Sequence, residues 1–199
     1  AARHHGLAPI VVLPDLSGGA NSNWSLCLDS KQGSGATYLA EDVPRWIQAN
    51  LSAGLSGPQQ WAAAGYSYGG TCAVQLAVNF PAAFPTFIDI AGENEPTIPG
   101  GMQSLLDTYF GGDASAFAAQ NALDILKQQS FPDTAGIVVV GKDDSVYNGE
   151  GREVYDAAKA AGMDVQLQEL PGGHSWQVWK AGLANNLDWL GHRLGILGS

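Results

Sequence analysis

The feature that most constrains this chain is residues 65–69, which read GYSYG and so fit a G-x-S-x-G pattern. The pattern lies between a short apolar run at 61–64 and a helix-like stretch at 71–79. A serine held by small residues between a strand and a helix is typical of a nucleophile elbow, in which a strained backbone presents the hydroxyl above the carboxyl edge of a sheet. The helix N-terminus behind it favours developing negative charge. The pattern therefore predicts that Ser67 is a nucleophile.

Apolar runs alternate with helical patterns along the rest of the chain. Buried strands are predicted by short runs rich in β-branched and apolar residues, at 9–13, 61–64, 87–90, 137–140 and 164–170. Helices are predicted by apolar residues at helical spacing, at 38–53, 71–79, 149–161 and 176–194. This alternation predicts an α/β fold, with a mostly parallel sheet, right-handed crossovers and helices on both faces.

The length of 199 residues fits one domain, 1–199, with a substantial core. Between 92 and about 135 no run of residues predicts a strand, and Gly and Pro turns alternate with short helical segments. We expect this excursion to form a small helical cap over the edge of the sheet that carries Ser67. Contents of 45% hydrophobic and 14% charged residues are those of an ordinary globular protein.

Charge and cysteine content exclude several classes of function. A net charge of −10 with only nine Lys and Arg argues against nucleic acid or an anionic bilayer as the main partner. No apolar run approaches the length of a membrane span. The two cysteines, Cys27 and Cys72, lack a metal-binding spacing, so they form either two buried thiols or one disulfide.

A serine hydroxyl needs a base within hydrogen-bond reach and a carboxylate that orients the base. His174 lies in PGGHSW, directly after the strand predicted at 164–170, and is the expected base. The acid is expected in GKDD after the strand at 137–140. Asp143 and Asp144 compete there, and Asp144 is favoured because it lies three residues past the glycine that ends the strand.

An attacked carbonyl also needs N–H donors for its oxyanion, from the residue after the nucleophile and from a loop after an early strand. These donors are predicted to be Tyr68 and Gly19, with Leu16 behind the latter. Trp24 and Trp176 lie on predicted site loops and are candidates for binding substrate. Aromatic residues in such places are as often part of the core.

The stretches GYSYGG, GKDDS and PGGHSW, with AAKAAGMDVQLQEL before the last of them, resemble the esterase D and antigen 85 group of α/β-hydrolases, the putative esterase family. The likeness covers nearly the whole chain. It implies the α/β-hydrolase fold, a triad of Ser67, Asp144 and His174, and no metal or organic cofactor. Five predicted strands, where that fold usually has eight, indicate that its N-terminal edge strands are missing.

The stretches CLDS, YLAEDVPRWI and GGTCA are similar to actinobacterial members of this family in which the domain follows membrane-spanning segments and faces outward. That likeness implies the C-terminal part of a longer protein at the extracytoplasmic face of the cell membrane, with membrane contact only through segments outside this chain. In such a compartment Cys27 and Cys72 can be oxidised. A bridge would tie the loop of Gly19 to the helix behind Ser67, and unlinked thiols are the alternative.

The expected function is hydrolysis of a carboxylic ester through an acyl-enzyme. The substrate is expected to be a small-molecule or lipid ester, and within that class a lipid-like or cell-envelope ester. An acyltransferase would use the same acyl-enzyme and differ only in resolving it with an alcohol instead of water. A catalytically silent binding domain is a third hypothesis, against which the order Ser, Asp, His argues.

Overall fold

The structure is a computed structural model, and it describes residues 8–16, 25–51, 53 and 61–197. Two predicted site residues, Gly19 and Trp24, lie outside the described residues. The remaining predicted site residues lie within them.

The first regular elements are a small antiparallel hairpin and a helical stretch. Strands β1 (Asp29–Ser30) and β2 (Gly33–Ser34) pair with each other. The helical stretch runs from α1 (Gly35–Thr37) through a π-helical turn (Tyr38–Asp42) into α2 (Val43–Leu51). It begins three residues before the predicted helix.

The apolar stripe predicted for this helix is only partly buried. Leu39 and Ile47 are buried, whereas Trp46 is 60% exposed and Leu51 is 49% exposed. The π-helical turn explains the difference, because its i→i+5 hydrogen bonds add a residue to the turn and shift the face that later residues present.

The strand predicted at 9–13 is wrong. Residues 8–16 form no strand, and Ile10, Val11 and Leu13 are 64%, 74% and 89% exposed. A run of β-branched residues indicates a preference for buried extended chain, but only pairing with a neighbouring strand realises it. Among the described residues, no strand pairs with this run.

The main sheet has four parallel strands in sequential order. They are β3 (Ala63–Tyr66), β4 (Thr86–Ile90), β5 (Ala135–Gly141) and β6 (Asp164–Leu170). These correspond to four of the five predicted strands, the first of them beginning two residues late. Because the four strands are all parallel, their carboxyl ends lie at the same edge of the sheet, where the functional residues are expected.

Helices cover both faces of the sheet, as predicted. On one face α3 (Tyr68–Asn79) and α7 (Tyr147–Ala160) pack with Val138 and Val140 of β5. The side chains that alternate with those two valines point to the other face, where they meet α8 (Trp176–Asn185) and α9 (Leu187–Arg193). Burial on both faces explains why β5 consists of apolar residues and glycine, and why β4 is apolar apart from Thr86 and Asp89.

The C-terminal helix predicted at 176–194 is divided into α8 (Trp176–Asn185) and α9 (Leu187–Arg193). Asn186 separates them, with 2% of its surface exposed. Its amide exchanges two hydrogen bonds with the side chain of Gln168 and donates a third to a carbonyl of α8. The apolar spacing continues through this residue, so periodicity alone gave no sign of the break.

The predicted cap segment, residues 92–135, contains α4 (Gly101–Leu105), a π-helical turn (Leu106–Phe110), α5 (Ala114–Ala118) and α6 (Ala122–Leu126). Its apolar side chains share a core with the segment at 25–31, through Leu26, Leu28, Leu105, Tyr109, Phe110 and Phe117. A buried amide pair also joins the cap segment to α3, since Gln75 donates to Asn121 over 3.1 Å. The cap segment is thus fixed to the helix that follows Ser67.

Candidate active site

Ser67 stands at the turn between β3 and α3 in a conformation that L-residues rarely adopt, with φ 51° and ψ −129°. Its backbone N–H donates to the carbonyl of Ile90 over 2.9 Å, which holds the turn against β4. Gly65 is required here, because a Cβ at this position would lie 2.2 Å from backbone atoms of Gly69. The local sequence therefore folds into the sharp turn that the G-x-S-x-G pattern predicts.

The structure brings Ser67, His174 and Asp144 together from three separate loops. The Ser67 Oγ lies 2.8 Å from Nε2 of His174, and Nδ1 of the same ring lies 3.2 Å from Oδ2 of Asp144. With its proton on Nδ1, a neutral imidazole donates to Asp144 and accepts from the serine hydroxyl. This tautomer is the one that a general base acting on Ser67 requires.

The two neighbouring aspartates have different partners. Asp144 is 8% exposed, and its Oδ1 accepts the backbone N–H groups of Val146 and Tyr147 over 3.1 and 3.0 Å. These bonds leave Oδ2 directed at His174. Asp143 instead accepts the N–H of Gly172 over 3.0 Å, and so fastens the loop that carries the histidine.

An aromatic array surrounds the imidazole of His174. The Tyr147 ring lies 4.2 Å from it with a 34° tilt, and the Trp179 ring meets it edge-on at 5.0 Å. Trp179 stacks on Tyr66 at 4.4 Å, and Trp176 meets Tyr66 edge-on at 5.9 Å. The array leaves His174 little freedom to rotate.

The sequence patterns do not point to Tyr147, because they predict that the helix after Asp144 begins at 149, two residues later than it does. The sequence feature that could have identified Tyr147 is its position three residues after Asp144. Desolvation, with the Glu93 carboxylate adding to it, raises the pKa of the Tyr147 phenol. The ring therefore faces His174 as a neutral group at ordinary pH.

Tyr68, the predicted oxyanion donor, is the first residue of α3, so its N–H lies at the positive end of that helix. Its side chain extends toward the segment at 25–31. Burial there raises the pKa of the phenol well above its usual range, with Tyr109 adding to the effect and the Leu26 backbone opposing it. The second predicted donor, Gly19, lies outside the described residues.

A disulfide joins Cys27 to Cys72, with Cα atoms 5.3 Å apart, and confirms the predicted bridge. Both residues are buried. Leu26 and Cys27 adopt left-handed φ values of 51° and 52°, which favour glycine. The bridge therefore ties an unusual backbone turn to α3, five residues after Ser67.

Asp89 lies fully buried in β4, directly beneath the first turn of α3, and was not singled out from the sequence. Its Oδ1 accepts the N–H of Gly92 over 2.9 Å, and a Cβ on Gly70 would lie 2.2 Å from that oxygen. Desolvation raises the pKa of Asp89 to about 7, and the hydrogen bond from Gly92 opposes the rise. The sequence feature that could have singled out Asp89 is a carboxylate within an otherwise apolar predicted strand.

Acidic side chains gather beside the acid loop. Burial raises the pKa of Glu150, whose carboxylate accepts the N–H of Asn94, and the side chain of Asn94 donates to Glu153. These contacts join the start of the cap segment to α7. Among the residues that the structure describes, no three His, Cys, Asp or Glu side chains come together as metal ligands.

Comparison with known proteins gives a family and a curated relative. A sequence model described as "Putative esterase" matches residues 2–190. An uncharacterized protein of Corynebacterium glutamicum is 36% identical over 201 residues, which cover 98% of this chain and 46% of the relative. The chain thus spans about half the length of this relative.

Two solved structures are similar in fold. An S-formylglutathione hydrolase from Agrobacterium tumefaciens superposes with a TM-score of 0.72 at 22% identity, over 88% of this chain and 68% of that one. Mycobacterium tuberculosis MPT51 superposes with a TM-score of 0.56 at 18% identity, over 84% of this chain and 70% of that one. These likenesses confirm the α/β-hydrolase fold that the sequence predicts.

Proposed function

The chain belongs to the putative esterase family, and from that premise we propose that it is a serine hydrolase that cleaves carboxylic esters through an acyl-enzyme. The observation that carries the proposal is the unbroken run of contacts from Ser67 through His174 to Asp144. In this proposal Ser67 is the nucleophile, His174 the general base and Asp144 the orienting acid.

In the acylation step, Nε2 of His174 takes the proton of Ser67 Oγ as that oxygen attacks the ester carbonyl carbon. The carbonyl oxygen gains negative charge and is stabilised by the N–H of Tyr68 at the start of α3, with Gly19 proposed as the second donor. Asp144 stabilises the imidazolium that forms. The bond from carbon to the alcohol oxygen then breaks, and His174 delivers its proton to that oxygen.

In the deacylation step, water attacks the acyl carbon while His174 takes one of its protons. The ester bond to Ser67 breaks and the serine recovers its proton, which releases a carboxylic acid. In this proposal the nucleophile, the base, the acid and both oxyanion donors belong to this chain.

A lipid-like or cell-envelope ester is the proposed substrate, and an extracytoplasmic location the proposed site of action. Exposed apolar side chains near each member of the triad, Tyr66, Val146 and Trp176, favour an apolar ester. The buried disulfide fits an oxidising compartment. No helix in the described part of the chain is long and apolar enough to cross a membrane, and we propose that membrane contact comes through segments outside this chain.

Acyl transfer is the second candidate function, because the same acyl-enzyme can be resolved by an alcohol. The exposed aromatic side chains of Tyr66 and Trp176 favour it, since they offer an apolar surface to an acceptor. Product analysis with and without a long-chain alcohol separates the two functions. A new ester in place of the free acid would identify the transferase.

The test of the proposed function is labelling with a fluorophosphonate, followed by peptide mass mapping. We expect stoichiometric modification of Ser67, and none in a folded Ser67→Ala variant, which should lose about 10⁴-fold or more in kcat on an activated ester. An unlabelled wild-type protein with no esterase activity would instead support a catalytically silent binding domain.

A further inference from the structure

The two tyrosines that flank the nucleophile contact different parts of the molecule. Tyr66 lies against α8, where its ring contacts both Trp176 and Trp179. Tyr68 extends toward the backbone of Leu26, in the segment bridged to α3. On one side of Ser67 therefore lie the aromatic rings of α8, and on another lies the disulfide-linked segment.

The proposed chemistry assigns the two sides to different parts of an ester. The carbonyl oxygen must meet the N–H of Tyr68 at the start of α3. The alcohol oxygen must lie within reach of Nε2 of His174, because that nitrogen delivers the proton on which the alcohol departs. The group attached to the alcohol oxygen then lies on the side of His174.

The surface on that side is aromatic and open. Trp179 contacts the His174 ring edge-on at 5.0 Å and stacks beneath Tyr66. Trp176 stands at 86° to Tyr66, so the two rings form a corner. Tyr66 is 46% exposed and Trp176 is 63% exposed, which leaves much of this corner accessible.

We propose that the corner of Tyr66 and Trp176 is the subsite for the alcohol portion of the ester, and that it selects bulky apolar alcohols, planar ones above all. The inference rests on the proposed function, and it adds which part of the substrate these residues contact. Aromatic faces at right angles offer stacking and edge contacts to a flat apolar group. In acyl transfer the acceptor alcohol would occupy the same subsite, since it attacks from the position that the leaving alcohol vacates.

The subsite makes a kinetic distinction that a structural role would not. Once the alcohol has left, every ester of one acid gives the same acyl-enzyme. A change in the corner must therefore alter acylation, and so kcat/KM, while leaving the rate of deacylation of that common intermediate unchanged.

The test compares acetate esters of 2-naphthol and of a small fluorinated alcohol of matched acidity, so that leaving-group chemistry is equal and only shape differs. Trp176→Ala should lower kcat/KM for the naphthyl ester about tenfold or more and for the small ester less than about twofold. Deacylation of the acetyl-enzyme should be unchanged, and Trp176→Phe should restore most of the naphthyl preference.

Leu183→Ala is the matched control, because Leu183 is also an exposed apolar residue of α8 and lies seven residues further along the helix, outside the aromatic array. It should leave both esters unaffected. Equal losses on the two esters in Trp176→Ala, or a loss that follows acyl length at a fixed alcohol, would overturn the alcohol subsite alone. A wild-type protein inert toward every ester would overturn the proposed function as well.

Discussion

Asp143 and Asp144 are adjacent in the chain yet bind different parts of the same loop. Asp144 reaches the imidazole of His174, while Asp143 accepts the backbone N–H of Gly172. The spacing from the end of β5 favours Asp144, but the sequence could not show what Asp143 does. A hydrogen bond to a backbone N–H depends on how two loops meet, which neither loop encodes alone.

Replacing each aspartate by asparagine separates the two proposed roles. Asp144→Asn should lower kcat about 10³-fold to 10⁴-fold, because an amide stabilises the wrong tautomer of His174. Asp143→Asn should cost only a few-fold, because its side-chain oxygen can still accept from Gly172. Steady-state kinetics on an activated ester measure both, and the reverse order of effects would show that Asp143 is the acid.

At the scale of elements, three of the four main strands were the most predictable part of the fold: β4 and β5, which bury both faces, and β6, whose apolar residues alternate with polar ones. β4, β5 and β6 lie where apolar or alternating runs placed them, because burial and strand pairing there favour the same conformation. The run at 9–13 has the same composition but is exposed. The break at Asn186 was hidden because it depends on a side chain of β6 that lies far away in sequence.

The site was predictable where one element determines it and not where several meet. Ser67, Asp144 and His174 each follow a strand, so their order along the chain was enough to bring them to one edge of the sheet. The contact of Tyr147 with His174 joins a helix start to a separate loop. The burial of Asp89 joins a strand to the helix above it, and no local pattern describes either.

The buried carboxyl between β4 and α3 should make stability depend on pH. Because the pKa of Asp89 rises from 3.8 to about 7 on folding, the native state holds its proton where the unfolded chain has lost it. Its contribution to stability is therefore lost as the pH rises from about 4 to about 7. The Asp89→Asn side chain cannot ionise, so the variant escapes this loss. Its free energy of unfolding should therefore rise relative to that of the wild type across this pH window, by up to about 4 kcal/mol at about 1.4 kcal/mol for each pKa unit.

Urea unfolding of both proteins at pH 4.5 and pH 8 measures this difference. We expect the two proteins to be closer in free energy of unfolding at pH 4.5, with the variant clearly more stable at pH 8. A difference in free energy of unfolding that does not change between the two pH values would mean that folding does not raise the pKa of Asp89.

At the scale of the whole molecule, one covalent bond joins parts that the sheet does not connect. The Cys27–Cys72 bridge links residues 45 apart, and Leu26 next to it belongs to the core shared with the cap segment. Oxidation thus couples the cap segment, the segment at 25–31 and α3.

Replacing both cysteines by alanine should lower the free energy of unfolding by about 4 kcal/mol in the chain-entropy model for a loop of this length. Thermal unfolding of the double variant, compared with wild type in the presence and absence of reductant, measures it. Wild type with reductant should match the variant. Finding both thiols free to alkylation in unfolded, unreduced wild type would contradict the bridge.

The same bond makes residues 27–72 a closed ring that contains Ser67. A protease that cuts once inside this ring leaves two pieces that stay linked, so a nicked molecule keeps Ser67 joined to the strands and loops that carry its partners. Such a molecule would migrate as one band without reductant and as two bands with it. In a protease-rich environment, a single cut between Cys27 and Cys72 would therefore not separate the protein into two molecules.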